Sequence, residues 1–388
     1  MPLMKPRAIV AVTNDLSTDQ RAHRTCIVLQ ELGYEVMLVG RLLTGSMPIT
    51  RPYATHRMRL WFRKGALFYA EYNVRLFLGL LAGGAFSIVG RMQPRGLHGW
   101  RMLVANDLDT LLACRLAAGM SGAKLVYDTH EYYTEVPELV KRPIVRRVWL
   151  AIERWTFPKL KTVITVNQSI ADAYKQRYGN EVQVVRNIPM KRELGPKSSR
   201  AELGLPEGKR ILIMQGAGIN VQRGAEEAVL AMKELPDCLL LIIGGGDAWP
   251  VLLRMVKEHA LEDRVRLMDR MPYERMMAFT RSADLGLTLD KDTNLNYRFS
   301  LPNKLFDYLN AGIPVLATDL PEVARIVRQF EAGVVIPSPE PLNIIGAVNA
   351  LFADPARKER LCANATFAAR ALDGDAEKEK LRVLLKNV

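Results

Sequence analysis

Arg298-Phe-Ser-Leu-Pro-Asn-Lys-Leu-Phe-Asp-Tyr-Leu-Asn-Ala-Gly-Ile-Pro-Val-Leu-Ala-Thr-Asp-Leu-Pro-Glu322 is the stretch around which this 388-residue chain is organised. Leu301, Leu305 and Leu309 recur every four residues, while Asn303, Lys304, Asp307 and Asn310 fall on another face, which predicts an amphipathic helix from Pro302 onward. Pro302 suits the first helical turn, Gly312 ends the helix, and residues 313–317 follow as a short buried strand. The unpaired N–H groups of a helix start beside Lys304 attract phosphate, and Asp307 one turn further along can accept both hydroxyls of a ribose. The same spacing also fits a plain surface helix capped by Ser300, with Lys304 solvated and Asp307 an ordinary acid near a helix start. Spacing leaves the two readings open.

On the amino-terminal side of that stretch, residues 210–216 form an apolar strand with a glycine-containing exit, residues 224–233 a helix, and residues 238–246 a strand ending in three glycines. Short apolar runs at 265–268, 285–289 and 333–336 supply further strands. The first half has the same plan, with strands at 7–12, 34–40, 101–106, 124–128 and 162–166, each followed by a helical pattern. Continuous apolar runs alternating with helices are the signature of a parallel sheet with crossover helices. The expected architecture is therefore α/β, with two tandem doubly wound domains facing across a cleft and ligands at the carboxyl ends of the strands. Boundaries are expected at 1–190 for the first domain, 191–209 for a polar linker carrying Pro196 and Pro206, and 210–365 for the second domain. A terminal helical segment, 366–388, completes the chain.

Composition is that of an ordinary globular protein, 49% apolar and 24% charged. Cys26, Cys114, Cys238 and Cys362 lie without metal-ligand or redox spacing and read as reduced core residues of a cytoplasmic protein. The longest apolar stretch, residues 76–90, holds four glycines and falls short of the roughly 18–20 residues a bilayer span needs. The net charge of +13 is concentrated: residues 1–187 carry 26 Lys and Arg against 14 Asp and Glu, and the remainder 28 against 27. A basic first half suits acidic lipid, nucleic acid or a phosphorylated substrate, or is merely a soluble surface.

The words from Pro302 to Glu322 resemble the donor-binding segment of family-4 glycosyltransferases of the GT-B fold. The resemblance implies a Rossmann-like retaining enzyme whose terminal helical segment, 366–388, packs back on the first domain. It moves a hexose-type sugar from a nucleotide diphosphate sugar to a glycan or lipid-linked acceptor, with no metal or other cofactor. In Gln215-Gly-Ala-Gly-Ile-Asn-Val-Gln-Arg-Gly224 the family's basic residue and following glycine match Arg223 and Gly224, and its loop glycine matches Gly216. The resemblance further assigns Met271, Ser300, Leu301, Asn303, Lys304 and Asp307 to the donor. The family carries an acid eight positions before Asp307, where this chain has Phe299; Arg298 and Ser300 are the neighbours that could compensate. In Tyr127-Asp-Thr-His-Glu-Tyr-Tyr133, His130 matches a histidine aimed at the transferred sugar, which makes His130, Arg223 and Lys304 the implied catalytic set. Asn14, Asp15, Asp19, Arg21 and Glu131 are acceptor-side candidates. Asp107 and Asp109 form an acid-x-acid pair that reads as loop and helix-start chemistry.

Two segments interleave cations with aromatics: Arg57-Met-Arg-Leu-Trp-Phe-Arg-Lys-Gly-Ala-Leu-Phe-Tyr69, and Arg142, Arg146, Arg147, Trp149 and Trp155. They suggest peripheral contact with an anionic membrane face. Two rival functions remain: a non-catalytic nucleotide or nucleic-acid binder using the basic half, although no nucleic-acid recognition motif is present, and a UDP-sugar epimerase of the same architecture.

Overall fold

The computed structural model describes residues 5–17, 19–83, 99–189, 195–216 and 218–388. Two compact units divide the chain, Met1–Asn187 with Asp375–Val388, and Ile188–Gly374. In the first, β1 (Arg7–Ala11), β2 (Glu35–Arg41), β3 (Ala54–Met58), β4 (Met102–Asn106), β5 (Lys124–Thr129), β6 (Thr162–Thr165) and β7 (Gln183–Val184) form one sheet in the order β3-β2-β1-β4-β5-β6-β7. In the second, β8 (Arg210–Gly216), β9 (Cys238–Gly244), β10 (Val265–Asp269), β11 (Leu285–Thr288), β12 (Val315–Thr318) and β13 (Gly333–Ile336) follow the order β10-β9-β8-β11-β12-β13. Every paired strand runs parallel, in registers such as Ile9↔Met37 and Met214↔Ile242.

The continuous apolar strands follow from burial on both faces. Along β8, Leu212 and Met214 enter one apolar cluster while Ile211 and Ile213 enter the cluster on the opposite face, so the strand's middle is apolar on both sides. The two strands without a sequence signal are edges. Ala54-Thr-His-Arg-Met58 is mostly half-exposed, and β7 has only two residues; an edge strand has no second neighbour to demand an apolar run.

The terminal segment divides differently from the expected boundary at 366. Helix Pro355–Ala371 lies in the second unit, with Ala365 and Ala368 in its core. Helix Gly374–Lys386 lies in the first, where Leu381 and Leu385 join the cluster of Ala8 and Val10 and Lys378 pairs with Glu31 at 2.6 Å. Part of the expected linker, residues 191–194, is outside the described residues. The rest folds with the second unit, since Leu205 is buried there and Arg200 pairs with Asp284 at 2.7 Å.

In each sheet the strand order reverses once, between β1 and β4 and between β8 and β11. The carboxyl ends at such a switch point open a crevice where loops diverge. Those two ends hold the residues considered next.

Candidate functional site

In the second unit, β8 ends at Gln215 and Gly216, and its loop returns through Arg223 and Gly224 to helix Ala225–Ala231. Gly224 has φ +76°, and a Cβ there would stand 2.3 Å from the carbonyl oxygen of Leu289. Backbone therefore rests on backbone, seating the loop against the end of β11. The seat brings the Arg223 guanidinium within 3.4 Å of Asp290 Oδ1 and 4.7 Å from the Tyr297 ring centroid. Gly224→Ala combines a left-handed φ, costing about 1–2 kcal/mol, with a collision worth about 1–3 kcal/mol more. A loss of roughly 2–5 kcal/mol in urea unfolding is the expected result. Gly216 itself has room for a Cβ; the tight approach belongs to Gly244, φ +150°, whose Cβ would lie 2.0 Å from the Gly216 carbonyl oxygen.

Helix Asn303–Asn310 starts at Pro302 and ends before Gly312. Its polar residues do not share one solvated face. Asn303 and Asn310 are exposed, whereas Lys304 is 8% and Asp307 6% accessible. Asp307 Oδ2 accepts from Gln215 Nε2 at 3.0 Å and Oδ1 from Tyr273 Oη at 2.9 Å, while Thr280 Oγ1 donates to Gln215 Oε1 at 2.5 Å. These bonds hold the Asp307 carboxylate in place. The Tyr308 hydroxyl ties the same helix to β8 and β11, accepting from Gln215 N and donating to the Leu287 carbonyl.

Lys304 forms no hydrogen bond or ion pair among the described residues. Burial pushes its pKa down, Asp290 partly restores it, and Arg223 adds to the depression. Asp290 is itself buried, with Oδ2 lacking a hydrogen bond. Two cations and one carboxylate thus share the end of β11, leaving an excess positive charge. Ser300 Oγ is buried without a hydrogen-bond partner. Leu301 and Met271 pack, partly exposed, on the adjoining apolar cluster. Arg298, by contrast, is a surface residue 3.6 Å from Asp292, and Phe299 is half-buried.

In the first unit, β5 delivers His130. Its backbone N–H donates to Asp107 Oδ1 at 2.8 Å; Nε2 lies 3.2 Å from Asn106 Oδ1 and 3.8 Å from Asp128 Oδ2; Nδ1 lies 3.6 Å from Asp107 Oδ2. Burial works against a charge on the ring, but Asp107 and Asp128 outweigh it and raise the pKa to about 9. Asp107 adopts φ 59°, ψ 167°, a conformation costing a non-glycine residue about 1–3 kcal/mol. Asp109, two residues on, accepts from Thr13 Oγ1 at 2.7 Å, and its other oxygen is buried without a partner. Burial first, and then the Asp107 charge, raise its carboxyl to about 7. The acid-x-acid pair is therefore part of the histidine's surroundings and not loop chemistry alone.

Arg21 does not face an acceptor. It is 4% accessible and makes a forked pair with buried Asp128, Nε at 3.0 Å and Nη2 at 2.5 Å, while Nη1 donates to the Val185 carbonyl. That guanidinium, against the burial cost, holds the Asp128 carboxyl far below the usual range. Asp19 caps helix Gln20–Glu31 and accepts from Asn14 Nδ2 at 2.7 Å; Asp15 accepts from Ser17 and Ser46. These three residues build the loop after β1. Glu131 is exposed beside His130.

Of the second basic and aromatic cluster, Trp149 is buried against Tyr69 and Tyr133, and Arg146 pairs with Glu135 at 2.6 Å. Arg142, Arg147 and Trp155 remain outward. In the first cluster Arg57 is tied to the carbonyls of Asp15 and Met47, and Trp61 is 83% exposed. Among the described residues, no helix is long and apolar enough to cross a membrane, and no group of three His, Cys, Asp or Glu could hold a metal ion.

Residues 197–367 match the family model described as glycosyl transferases group 1. Alpha-D-kanosaminyltransferase from Streptomyces kanamyceticus is 22% identical over 265 residues, covering 64% of this chain and 67% of that protein. A D-inositol 3-phosphate glycosyltransferase from Xylanimonas cellulosilytica is 26% identical over 181 residues, 45% of this chain and 42% of the relative, so the chain spans less than half of that protein's length. Among solved structures, sucrose-phosphate synthase from Thermosynechococcus elongatus superposes with TM-score 0.76 at 20% identity, over 99% of both chains. HepE from Anabaena, in complex with UDP and glucose, gives 0.72 at 13% identity over 99% of this chain and 100% of that one. The doubly wound sheets of 7 and 6 strands have the GT-B fold.

Proposed function

We propose that this glycosyltransferase, whose residues 197–367 match the glycosyl transferases group 1 family on a GT-B fold, moves a hexose-type sugar from a nucleotide diphosphate sugar to a glycan or lipid-linked acceptor. The observation that carries the donor assignment is Lys304, a buried lysine with no hydrogen bond or ion pair among the described residues, which must share the Asp290 carboxylate with Arg223 at the end of β11. Two buried cations sharing one carboxylate are costly, and a diphosphate supplies the further negative charge. Asp307, held by Gln215 and Tyr273 beside that cationic site, is the carboxylate we assign to the ribose hydroxyls. UDP is the first nucleotide to test, because the HepE structures hold UDP and UDP-glucose.

The transfer we propose retains anomeric configuration. As the bond from the anomeric carbon to the diphosphate breaks, Arg223 and Lys304 offset the charge growing on the leaving oxygen. The acceptor hydroxyl forms the new bond on the same face and passes its proton to a phosphate oxygen. His130, cationic at neutral pH, steers the sugar, and no bound metal is required for charge neutralisation. The acceptor belongs to the first unit, whose outward basic and aromatic residues suit a membrane surface.

A panel of UDP-, GDP- and ADP-sugars tests the donor assignment by thermal shift. One of them at about 100 times its Kd is expected to raise the melting temperature by roughly 5–10 °C. Asp307→Ala is expected to weaken that nucleotide about 10- to 100-fold. A protein that responds to no nucleotide sugar, or an Asp307→Ala variant that responds as fully as the wild type, overturns the assignment. Release of free nucleotide with an epimerised sugar, in place of a glycosylated acceptor, identifies an epimerase.

A further inference from the structure

The amino-terminal edge of the first sheet, at the opposite strand ends from His130, holds an open pocket of about 480 Å³. Arg115 and Gly119 reach it from helix Leu108–Ser121, Lys124 from the start of β5, and Lys159 and Lys161 from the turn before β6. None of these four cations pairs with a side-chain carboxylate among the described residues. Asn387 and Val388 complete the wall, and no Asp or Glu is among the residues that line it. Four cations converging on one concavity repel each other unless an anion or salt intervenes.

The surroundings are apolar and outward. Leu116 and Met120, on the helix that carries Arg115, are 41% and 53% exposed. Helix Pro143–Thr156 packs beside it and presents Ile144, Val148 and Trp155 at helical spacing, 76%, 57% and 47% exposed. That stripe ends at the pocket, where Lys159 Nζ sits 4.6 Å from the Trp155 ring centroid. A soluble phosphate would need only the cations. Large apolar side chains beside a cationic hollow, with an indole at the junction, suit a phosphate whose attached chains continue into hydrocarbon.

We propose that this pocket takes the phosphate of an anionic phospholipid headgroup, while the stripe from Ile144 to Trp155 enters the acyl boundary. The proposal deepens the membrane-surface part of the function above and is independent of the donor assignment. The test is co-sedimentation of the full chain at low salt with phosphatidylcholine vesicles, with or without about one third phosphatidylglycerol. Binding is expected only with phosphatidylglycerol. Lys124→Glu/Lys161→Glu, both exposed positions, is expected to weaken it roughly 30-fold or more. Val148→Ser is expected to weaken it several-fold at unchanged charge. Both variants should keep the wild-type melting temperature and nucleotide thermal shift, which separates failure here from failure of the donor assignment. Absence of wild-type binding to anionic vesicles overturns the proposal, and so does undiminished binding by the double variant. Full release of the protein from vesicles by millimolar inorganic phosphate would assign the pocket to a soluble anion and also overturn it.

Discussion

Lys304→Met is expected to raise the melting temperature of this protein and to suppress sugar transfer about 100- to 1,000-fold. Lys304 lies in a nearly inaccessible position with no ion-pair partner among the described residues, and burial, with Arg223 adding to it, pushes its pKa down. Replacing a buried charge by a straight apolar chain of similar length removes the desolvation cost, and a gain of about 1–3 kcal/mol follows. The pH dependence has a definite sign. The folded-state pKa is below 10.5, so the unfolded chain binds the extra proton and the wild type gains stability as pH rises toward 10.5. The variant lacks that rise. Its response to the nucleotide sugar should also vanish, because the diphosphate loses the cation at the helix start. Thermal denaturation at two pH values, with kcat/KM, checks all three effects. A destabilised variant with near-normal kcat/KM would show that Lys304 serves packing and not the donor.

What the sequence discloses here is local. All strands but the edge strands β3 and β7 are visible because two-sided burial writes an uninterrupted apolar run, and the turn at Arg223 and Gly224 because glycine marks a close approach. Helix Asn303–Asn310 is visible by its leucines, yet the same periodicity places Lys304 and Asp307 in solvent as readily as inside. Which one holds depends on Gln215, 92 positions from Asp307, and no local pattern reports that distance. Arg21 and Asp128, 107 positions apart, illustrate the same limit: beside a first-strand loop the arginine reads as an acceptor ligand, whereas in the fold it is enclosed against a carboxylate. Asp107 and Asp109 carried a signal, two acids one residue apart after a strand. Their meaning comes only from β5, the neighbouring strand that sets His130 against them.

That neighbourhood predicts the second large effect. Asp107→Asn is expected to lower turnover about 100-fold while leaving nucleotide binding intact, since Asp107 and His130 belong to the first unit and Arg223, Lys304 and Asp307 to the second. Asparagine matches aspartate in shape, bears the same backbone strain at φ 59°, ψ 167° and still accepts from the His130 N–H, so the substitution removes charge with little change of shape. Burial disfavours the imidazolium, and Asp107 is the foremost group that reverses this, holding the pKa at about 9. Without it the pKa falls toward 6.5, and the ring is mostly neutral at pH 8. Linkage fixes the sign: a histidine pKa raised on folding contributes stability that is complete below pH 6.5 and is lost as pH rises through about 9. Wild type should lose stability across that window more steeply than the variant. Asp109 titrates nearby, at about 7, so the His130 ring is best followed directly by NMR. A purely structural Asp107 would lower turnover without moving that titration. A variant whose His130 still titrates near 9, with undiminished turnover, would show that the strained aspartate neither charges nor positions the histidine.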